Sequence, residues 1–233
     1  MPAAGRLASG DKVWSAGAMN VQPEQKQFLD LAPSPDAARG WGFSLAGALV
    51  AIVVAYLFVD RPVASFVYAN LHHRQLDFRK LTYVSEIVQG ASVFIVAWGV
   101  WLYARRKPFG PVAEPLIRAA SALCVTFAAK DQLKYAFGRT WPETWVNNNP
   151  SFIKDGVFGF FPFHGGTGWS AFPSGHTATI VAFVATLWVI WPRWRPLYAV
   201  VVALPVIGLI GADYHWISDI IAGGALAAAI GVV

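Results

Sequence analysis

The sequence predicts an all-α integral-membrane protein, a bundle of six transmembrane helices with an amphipathic interfacial helix and a long extracytoplasmic loop. Of its 233 residues, 56% are hydrophobic and 13% are charged, whereas an average soluble domain has roughly 25% charged residues. The chain holds 11 tryptophans, and its mean hydropathy is +0.47. Its apolar residues also fall into runs of about 20 residues, which is the length that spans a bilayer as a helix.

Six apolar runs are long enough to be interpreted as membrane spans. They cover approximately residues 42–59, 84–104, 114–137, 175–192, 197–213 and 216–233. The first run stops at Asp60, and the second ends in the basic triplet 105–107. The third is unusual because Lys130 and Lys134 lie near its end.

The basic loops predict the orientation of the bundle. The triplet 105–107 and the pair Arg193 and Arg195 follow spans two and four, and clustered Lys and Arg residues mark cytoplasmic loops. Residues 1–40 then also lie inside, and their polar, mixed composition predicts a flexible cytoplasmic tail. Residues 41–233 form the six-span membrane domain.

Residues 62–83 predict an amphipathic helix on the outer surface of the membrane. Val63, Phe66, Val67 and Leu71 recur at helical spacing, while basic residues lie before and after them. An apolar stripe opposite a basic face is typical of a helix that lies in the interface plane.

The segment 138–174 is predicted to be a long extracytoplasmic loop, rich in Gly, Pro, Asn and aromatic residues. A connection of this length between packed helices usually has a function. In this predicted topology, polar residues from three distant parts of the chain lie at the same depth in the membrane as this loop. They are Lys134 and Arg139 at its start, His176 at its end, and His215 and Asp219 between spans five and six.

The first of these stretches is Phe172-Pro-Ser-Gly-His-Thr177, which opens the fourth span. Ser174 suits an N-cap, and Gly175 lets the backbone approach a ligand closely. The unsatisfied amides of a helix N-terminus bind phosphate oxygens well, and His176 would then donate a proton to a leaving oxygen. The alternative is a plain capped span whose histidine anchors it at the interface.

The second stretch is His215-Trp-Ile-Ser-Asp219. On a helix, residues four apart share one face, so the carboxylate of Asp219 would fix the tautomer of His215 and leave its other nitrogen free as a nucleophile. A purely structural pair at a span edge is the alternative. Two histidines and an aspartate also suit zinc, but this interpretation leaves the neighbouring cations unexplained.

Cations form the third group. Lys134 and Arg139 are predicted to hold a phosphate through charge-assisted hydrogen bonds, worth about 1.5–3 kcal/mol each. Lys130 lies one turn before Lys134. For Lys130 we predict a structural pairing with Asp131 or another carboxylate.

The Pro-Ser-Gly-His element followed by His-x-x-x-Asp resembles the type 2 phosphatidic acid phosphatase superfamily, which includes the vanadium haloperoxidases. The resemblance covers roughly residues 40–233. It implies a metal-independent phosphoric monoester hydrolase that needs no cofactor. His215 would be the nucleophile that forms a phosphohistidine, Asp219 would orient it, and His176 would be the general acid. Ser174, Gly175 and Lys134 would bind the phosphate.

Two positions depart from the family pattern. A lysine, six residues and Arg-Pro form the first family motif, but here Trp141 stands at the arginine position. Arg139, two residues earlier, is the expected substitute. The third motif has Ser-Arg where this chain has Gly208 and Leu209. The alternative function is therefore a non-catalytic or altered membrane protein that binds or transports phosphate-bearing lipids.

The resemblance implies a membrane lipid phosphate as the substrate and the lipid bilayer as the surroundings. Phosphatidic acid, phosphatidylglycerol phosphate, a polyprenyl pyrophosphate and a lipid A phosphate all fit. No nucleic-acid partner is expected, because the net charge of +5 is modest and its cations lie between apolar runs. We expect a multi-pass protein of a bacterial inner membrane whose site faces the extracytoplasmic side.

Overall fold

The fold is all-α, as predicted, over the residues that a computed structural model describes, 35–145 and 147–232. Within these ranges no β-strand forms. The helices longer than one turn are α1 (Pro35–Val54), α2 (Asp60–Leu71), α3 (Gln75–Ala104), α4 (Ala113–Phe137), α5 (Gly175–Ile190), α6 (Arg195–Gly211) and α7 (Ile217–Gly231). A π-helical segment, Ala55–Val59, joins α1 to α2, and short 3₁₀ turns precede α3 and α6.

Most of the predicted N-terminal tail, residues 1–40, lies outside the described residues. Its last part is helical, because α1 begins at Pro35. The first apolar run therefore belongs to a helix that starts several residues before position 42.

The apolar helices support a membrane protein. In the described part of the chain, the helical stretches Arg39–Ala104 and Pro192–Gly211 are long and apolar enough to cross a membrane, and Gly175–Ile190 and Ile217–Gly231 are apolar but shorter. Helix α4 has sufficient length but carries charged residues near both ends. All six predicted spans fall on helices, whereas their number as membrane crossings stays a prediction.

The predicted interfacial helix, 62–83, is divided in the structure. Its first half is α2, which buries Asp60, Ala64 and Val67 on one face. The second half is the beginning of α3, which starts at Gln75 rather than near residue 84. No Gly or Pro interrupts residues 75–84, and Lys80 pairs with Asp77 in the first turns at 2.9 Å. The polar stretch 75–83 is therefore still helical and forms the N-terminal part of α3.

Helix α5 lies at the centre of the bundle and packs against α4 and α7, while α3 packs against α6. Small side chains make the central contacts possible, since Ala178 and Ala182 of α5 pack with Ala227 of α7 and Leu123 of α4. Large apolar side chains cover the outer faces; Phe94, for example, is 76% exposed. An apolar exterior is expected of helices whose surroundings are lipid.

Residues 138–174 form the predicted long connection. Their regular structure is a single helical turn, Phe152–Asp155, a 3₁₀ turn, Thr167–Trp169, and isolated backbone bridges. Gly138 ends α4 in the left-handed conformation. A Cβ atom there would lie 1.9 Å from the carbonyl oxygen of Phe161, so only glycine lets the loop fold back over the end of α4.

Candidate active site

The N-terminus of α5 carries the Pro-Ser-Gly-His stretch. Ser174 is the N-cap, as predicted, and its hydroxyl accepts a hydrogen bond from the amide of Thr177. Its own amide donates to the carbonyl oxygen of Asp219 at 3.0 Å. The start of α5 is thereby tied to the start of α7, and the two predicted motifs lie side by side.

A close backbone approach at Gly223 makes this tie possible. A Cβ atom on Gly223 would lie 2.5 Å from the carbonyl oxygen of Ser174. Replacing Gly223 by alanine should therefore lower the free energy of unfolding by about 1–3 kcal/mol, measured by thermal unfolding in detergent. Gly224→Ala is the matched control, because its Cβ would meet only the Thr177 methyl group at 3.7 Å. Equal stability of the two variants would contradict the tight contact.

His215 and Asp219 pair as predicted, but not on a shared helix. Helix α7 begins at Ile217, so His215 lies in the connection before it, and Trp216 is the N-cap. Asp219 reaches back from the first turn, where Oδ2 accepts from the Trp216 amide at 3.2 Å and lies 3.3 Å from Nδ1 of His215. This arrangement makes Nδ1 the protonated nitrogen and leaves Nε2 with a free lone pair.

His215 is nearly fully buried, and this burial lowers its pKa below the ordinary value for histidine. The hydrogen bond and the charge of Asp219 act in the opposite direction, while Lys134 and Arg139 lower the pKa further. A buried ring with a lowered pKa is neutral at neutral pH, which is the form that can act as a nucleophile.

The rings of His176 and His215 face each other across a cavity of about 190 Å³, with their centroids 6.3 Å apart. Both rings line this cavity, so a group bound in it would lie beside both imidazoles. Trp141 packs on His215 with centroids 4.9 Å apart, and Tyr214 lies beside His176. Two imidazoles and two further aromatic side chains therefore line one cavity.

Lys130 and Lys134 bring two ammonium groups to the lining of this cavity. The ammonium of Lys134 donates a hydrogen bond to the carbonyl oxygen of Ser170. Lys130 is bonded to Asp131 at 2.5 Å, which confirms the predicted pairing, and yet it also lines the cavity. Aliphatic carbons of both lysines lie near Gly175, 3.7–3.9 Å from where its Cβ would stand.

Arg139 lies behind the pair of His215 and Asp219 rather than along the cavity wall. Its guanidinium is fully buried. It donates to Asp219 Oδ1 at 2.6 Å and to Asp60 Oδ2 at 2.7 Å. Ser174 is also fully buried and does not line the cavity. The predicted direct contacts of Arg139 and Ser174 with phosphate stay predictions.

Leu209 and Trp141, which stand where the family pattern has arginines, are both apolar side chains. Leu209 is fully buried in α6, and Trp141 donates its indole N–H to the carbonyl oxygen of Thr167 at 2.8 Å. Neither position brings a cation to the cavity. The positive charge there comes from Lys130 and Lys134 of α4 instead.

Sequence reasoning missed the contribution of α3 to the cavity. Ser85, Glu86 and Gln89 line it. Glu86 Oε1 lies 3.8 Å from His176 Nε2, and the buried Ser85 hydroxyl has no hydrogen-bond partner among the described residues. An ionisable residue within an apolar run was an available signal, because such residues are usually functional.

Within the described residues, no three His, Cys, Asp or Glu side chains are grouped as metal ligands.

Comparison with known proteins gives one family and two curated relatives. The profile of the PAP2 superfamily matches residues 115–233. A lipid A 1-phosphatase of Rhizobium johnstonii is 26% identical over 204 residues, which cover 81% of this chain and 77% of that protein. A lipid A 1-phosphatase of Rhizobium etli is 34% identical over 91 residues, 39% of this chain and 36% of that protein. No solved structure gives a significant match.

Proposed function

The chain belongs to the PAP2 superfamily, and from this premise we propose that it hydrolyses a phosphate monoester or pyrophosphate on a membrane lipid, through a phosphohistidine, at the extracytoplasmic face. The observation that carries the proposal is the pair of facing imidazoles, one of them held by a buried carboxylate. His176 belongs to the first turn of α5 and His215 precedes α7, and both line the cavity together with two lysines.

The phosphate would be bound at the cavity floor. Lys134 and Lys130 supply positive charge, and the amides at Gly175 supply directed donors. Ser174 and Arg139 would support this floor from behind, since both are fully buried. The unpartnered hydroxyl of Ser85 is a further donor from α3.

The first chemical step would be an attack of His215 Nε2 on phosphorus. A P–N bond forms and the bond from phosphorus to the leaving oxygen breaks, while His176 donates a proton to that oxygen. Glu86 Oε1 lies 3.8 Å from His176 Nε2 and would pair with the protonated ring that this step needs. Asp219 accepts the Nδ1–H of His215 and stabilises the positive charge that develops on the ring.

The second step would return the enzyme to its starting state. Water attacks the phosphohistidine, His176 takes up the proton of that water, and the P–N bond breaks to release inorganic phosphate. Each group is thereby used twice, His215 as nucleophile and then leaving group, His176 as acid and then base.

A phosphate-release assay on the full chain in detergent tests the proposal. The substrates are phosphatidic acid, phosphatidylglycerol phosphate, a polyprenyl pyrophosphate and lipid A, which the names of the two relatives suggest. We expect release from at least one of them, undiminished by EDTA. Loss of activity in EDTA would contradict a metal-independent reaction, and no release from any would contradict hydrolysis of these lipids.

A second candidate is binding or transport of phosphate-bearing lipids without turnover. It is favoured by Leu209 and Trp141, which stand where the family pattern has arginines. This function predicts that lipid phosphates bind, that none is hydrolysed, and that binding survives the loss of the His215 ring.

A further inference from the structure

Asp60 is a buried carboxylate that the family pattern does not include. It lies at the first position of α2, directly after the π-helical segment, and outside residues 115–233 that match the family profile. Its side chain is fully buried. A charged group in such a position is stable only when its oxygens are bonded and its charge is balanced.

Both carboxylate oxygens of Asp60 are used. Oδ1 accepts from the amide of Ser218 at 3.0 Å. Oδ2 accepts from the Ser218 hydroxyl at 2.5 Å and from Arg139 at 2.7 Å. Asp60 therefore binds Ser218 in the first turn of α7, one residue before Asp219. It also binds Arg139, the only cation bonded to Asp219 among the described residues.

Arg139 connects the two carboxylates. One of its terminal nitrogens donates to Asp60, and the other donates to Ser218 and to Oδ1 of Asp219. The second oxygen of Asp219 faces Nδ1 of His215. A continuous chain of charge-assisted bonds thus runs from Asp60 through Arg139 and Asp219 to the imidazole.

We propose that Asp60 is a positioning residue for His215 that acts through Arg139 and Asp219. It keeps the imidazole oriented, and by balancing the charge of Arg139 it leaves the negative charge of Asp219 available to stabilise the ring. The inference rests on the proposed function, in which His215 is the nucleophile. It adds a residue of the N-terminal helices to the machinery of the C-terminal ones.

The charge balance explains the effect. One guanidinium lies between two carboxylates, so the group carries one net negative charge when His215 is neutral. That charge is available to stabilise the ring as it becomes positive during attack. Without the Asp60 carboxylate, Arg139 would neutralise Asp219, and the developing charge on His215 would lose its counterpart.

The effect on His215 has a definite sign. Asp219 raises the pKa of this histidine, whereas burial and the nearby cations lower it. Removing the negative charge of Asp60 should lower the pKa further, because the charge of Arg139 is then uncompensated. The ionisable groups from neighbouring elements that face the ring are Asp219, Lys134, Arg139, His176 and Tyr214.

The test is Asp60→Asn in the full chain, with Asp77→Asn as the control. Asp77 is exposed in α3 and pairs only with Lys80 among the described residues. We expect kcat of Asp60→Asn to fall by about 10–100-fold with KM within about twofold, because the phosphate-binding lysines are untouched. The control should keep wild-type kcat and KM.

A spectroscopic measurement separates positioning from folding. In ¹⁵N-histidine-labelled protein, the His215 ring should titrate at lower pH in Asp60→Asn than in wild type, and Asp60→Glu, which keeps the charge, should restore it towards wild type. If Asp60→Asn does not fold, Ser218→Ala removes one bond to Asp60 and should lower kcat several-fold at unchanged KM.

An unchanged kcat in the folded variant, or a fall in kcat with an unchanged His215 titration, overturns the inference. If wild type hydrolyses no lipid phosphate, the proposed function fails, but the titration of His215 still decides whether Asp60 acts on it.

Discussion

Replacing His215 by asparagine is expected to lower kcat for phosphate release by at least about 10³-fold, as losses of catalytic nucleophiles commonly do. Asparagine can keep a hydrogen bond to Asp219 but has no nitrogen lone pair that attacks phosphorus. The measurement is phosphate release from the lipid that wild type hydrolyses best, together with acid-labile phosphate on the protein after rapid quenching. Both signals should disappear.

His73→Asn is the control, because that histidine is exposed in the turn before α3. Binding of the lipid phosphate should survive in His215→Asn, since Lys130 and Lys134 remain. Retained turnover would show that another group attacks phosphorus, and it would remove the phosphohistidine from the mechanism.

The largest loss of stability is expected from Arg139→Met. Methionine fills much of the same space but leaves Asp60 and Asp219 as two neighbouring buried carboxylates without their shared cation. Breaking a buried ion pair by removing one partner costs about 3–5 kcal/mol. Denaturant or thermal unfolding in a mild detergent would measure the difference.

Arg118→Gln is the matched control for this prediction. Arg118 pairs with Glu114 on the surface of α4, where both side chains are largely exposed, and such pairs contribute about 0–1 kcal/mol. A similar small loss for both variants would mean that the Arg139 network stabilises the fold little.

The sequence predicted well those features that depend on local pattern. The third apolar run, 114–137, differs from α4 by one residue at its start, and Ser174 caps α5 as expected. The first follows from the periodicity of apolar residues and the second from the capping preference of serine. Both signals are local, within a few positions along the chain. The order of the apolar runs predicted that His176 and His215 lie at one level of the membrane, and in the structure both rings line one cavity.

The position of Arg139 could not be predicted in the same way. Its partners Asp60 and Asp219 are 79 and 80 residues away along the chain, and no periodic pattern reports contacts of that kind. Asp60 looked like the polar end of a span, because a carboxylate after an apolar run usually faces water. Similarly, the four-residue spacing of His215 and Asp219 was compatible with a helix, but the cap at Trp216 excludes His215 from it.

The π-helical segment Ala55–Val59 has a consequence for how this chain can vary. It packs against α7 and ends with the amide of Asp60 bonded to the carbonyl oxygen of Ala55. Such wide turns arise inside α-helices as local insertions, and each residue added or removed rotates the rest of the helix by about 100°. A one-residue insertion or deletion inside Ala55–Val59 would therefore change how the preceding helix is rotated relative to the Asp60 carboxylate.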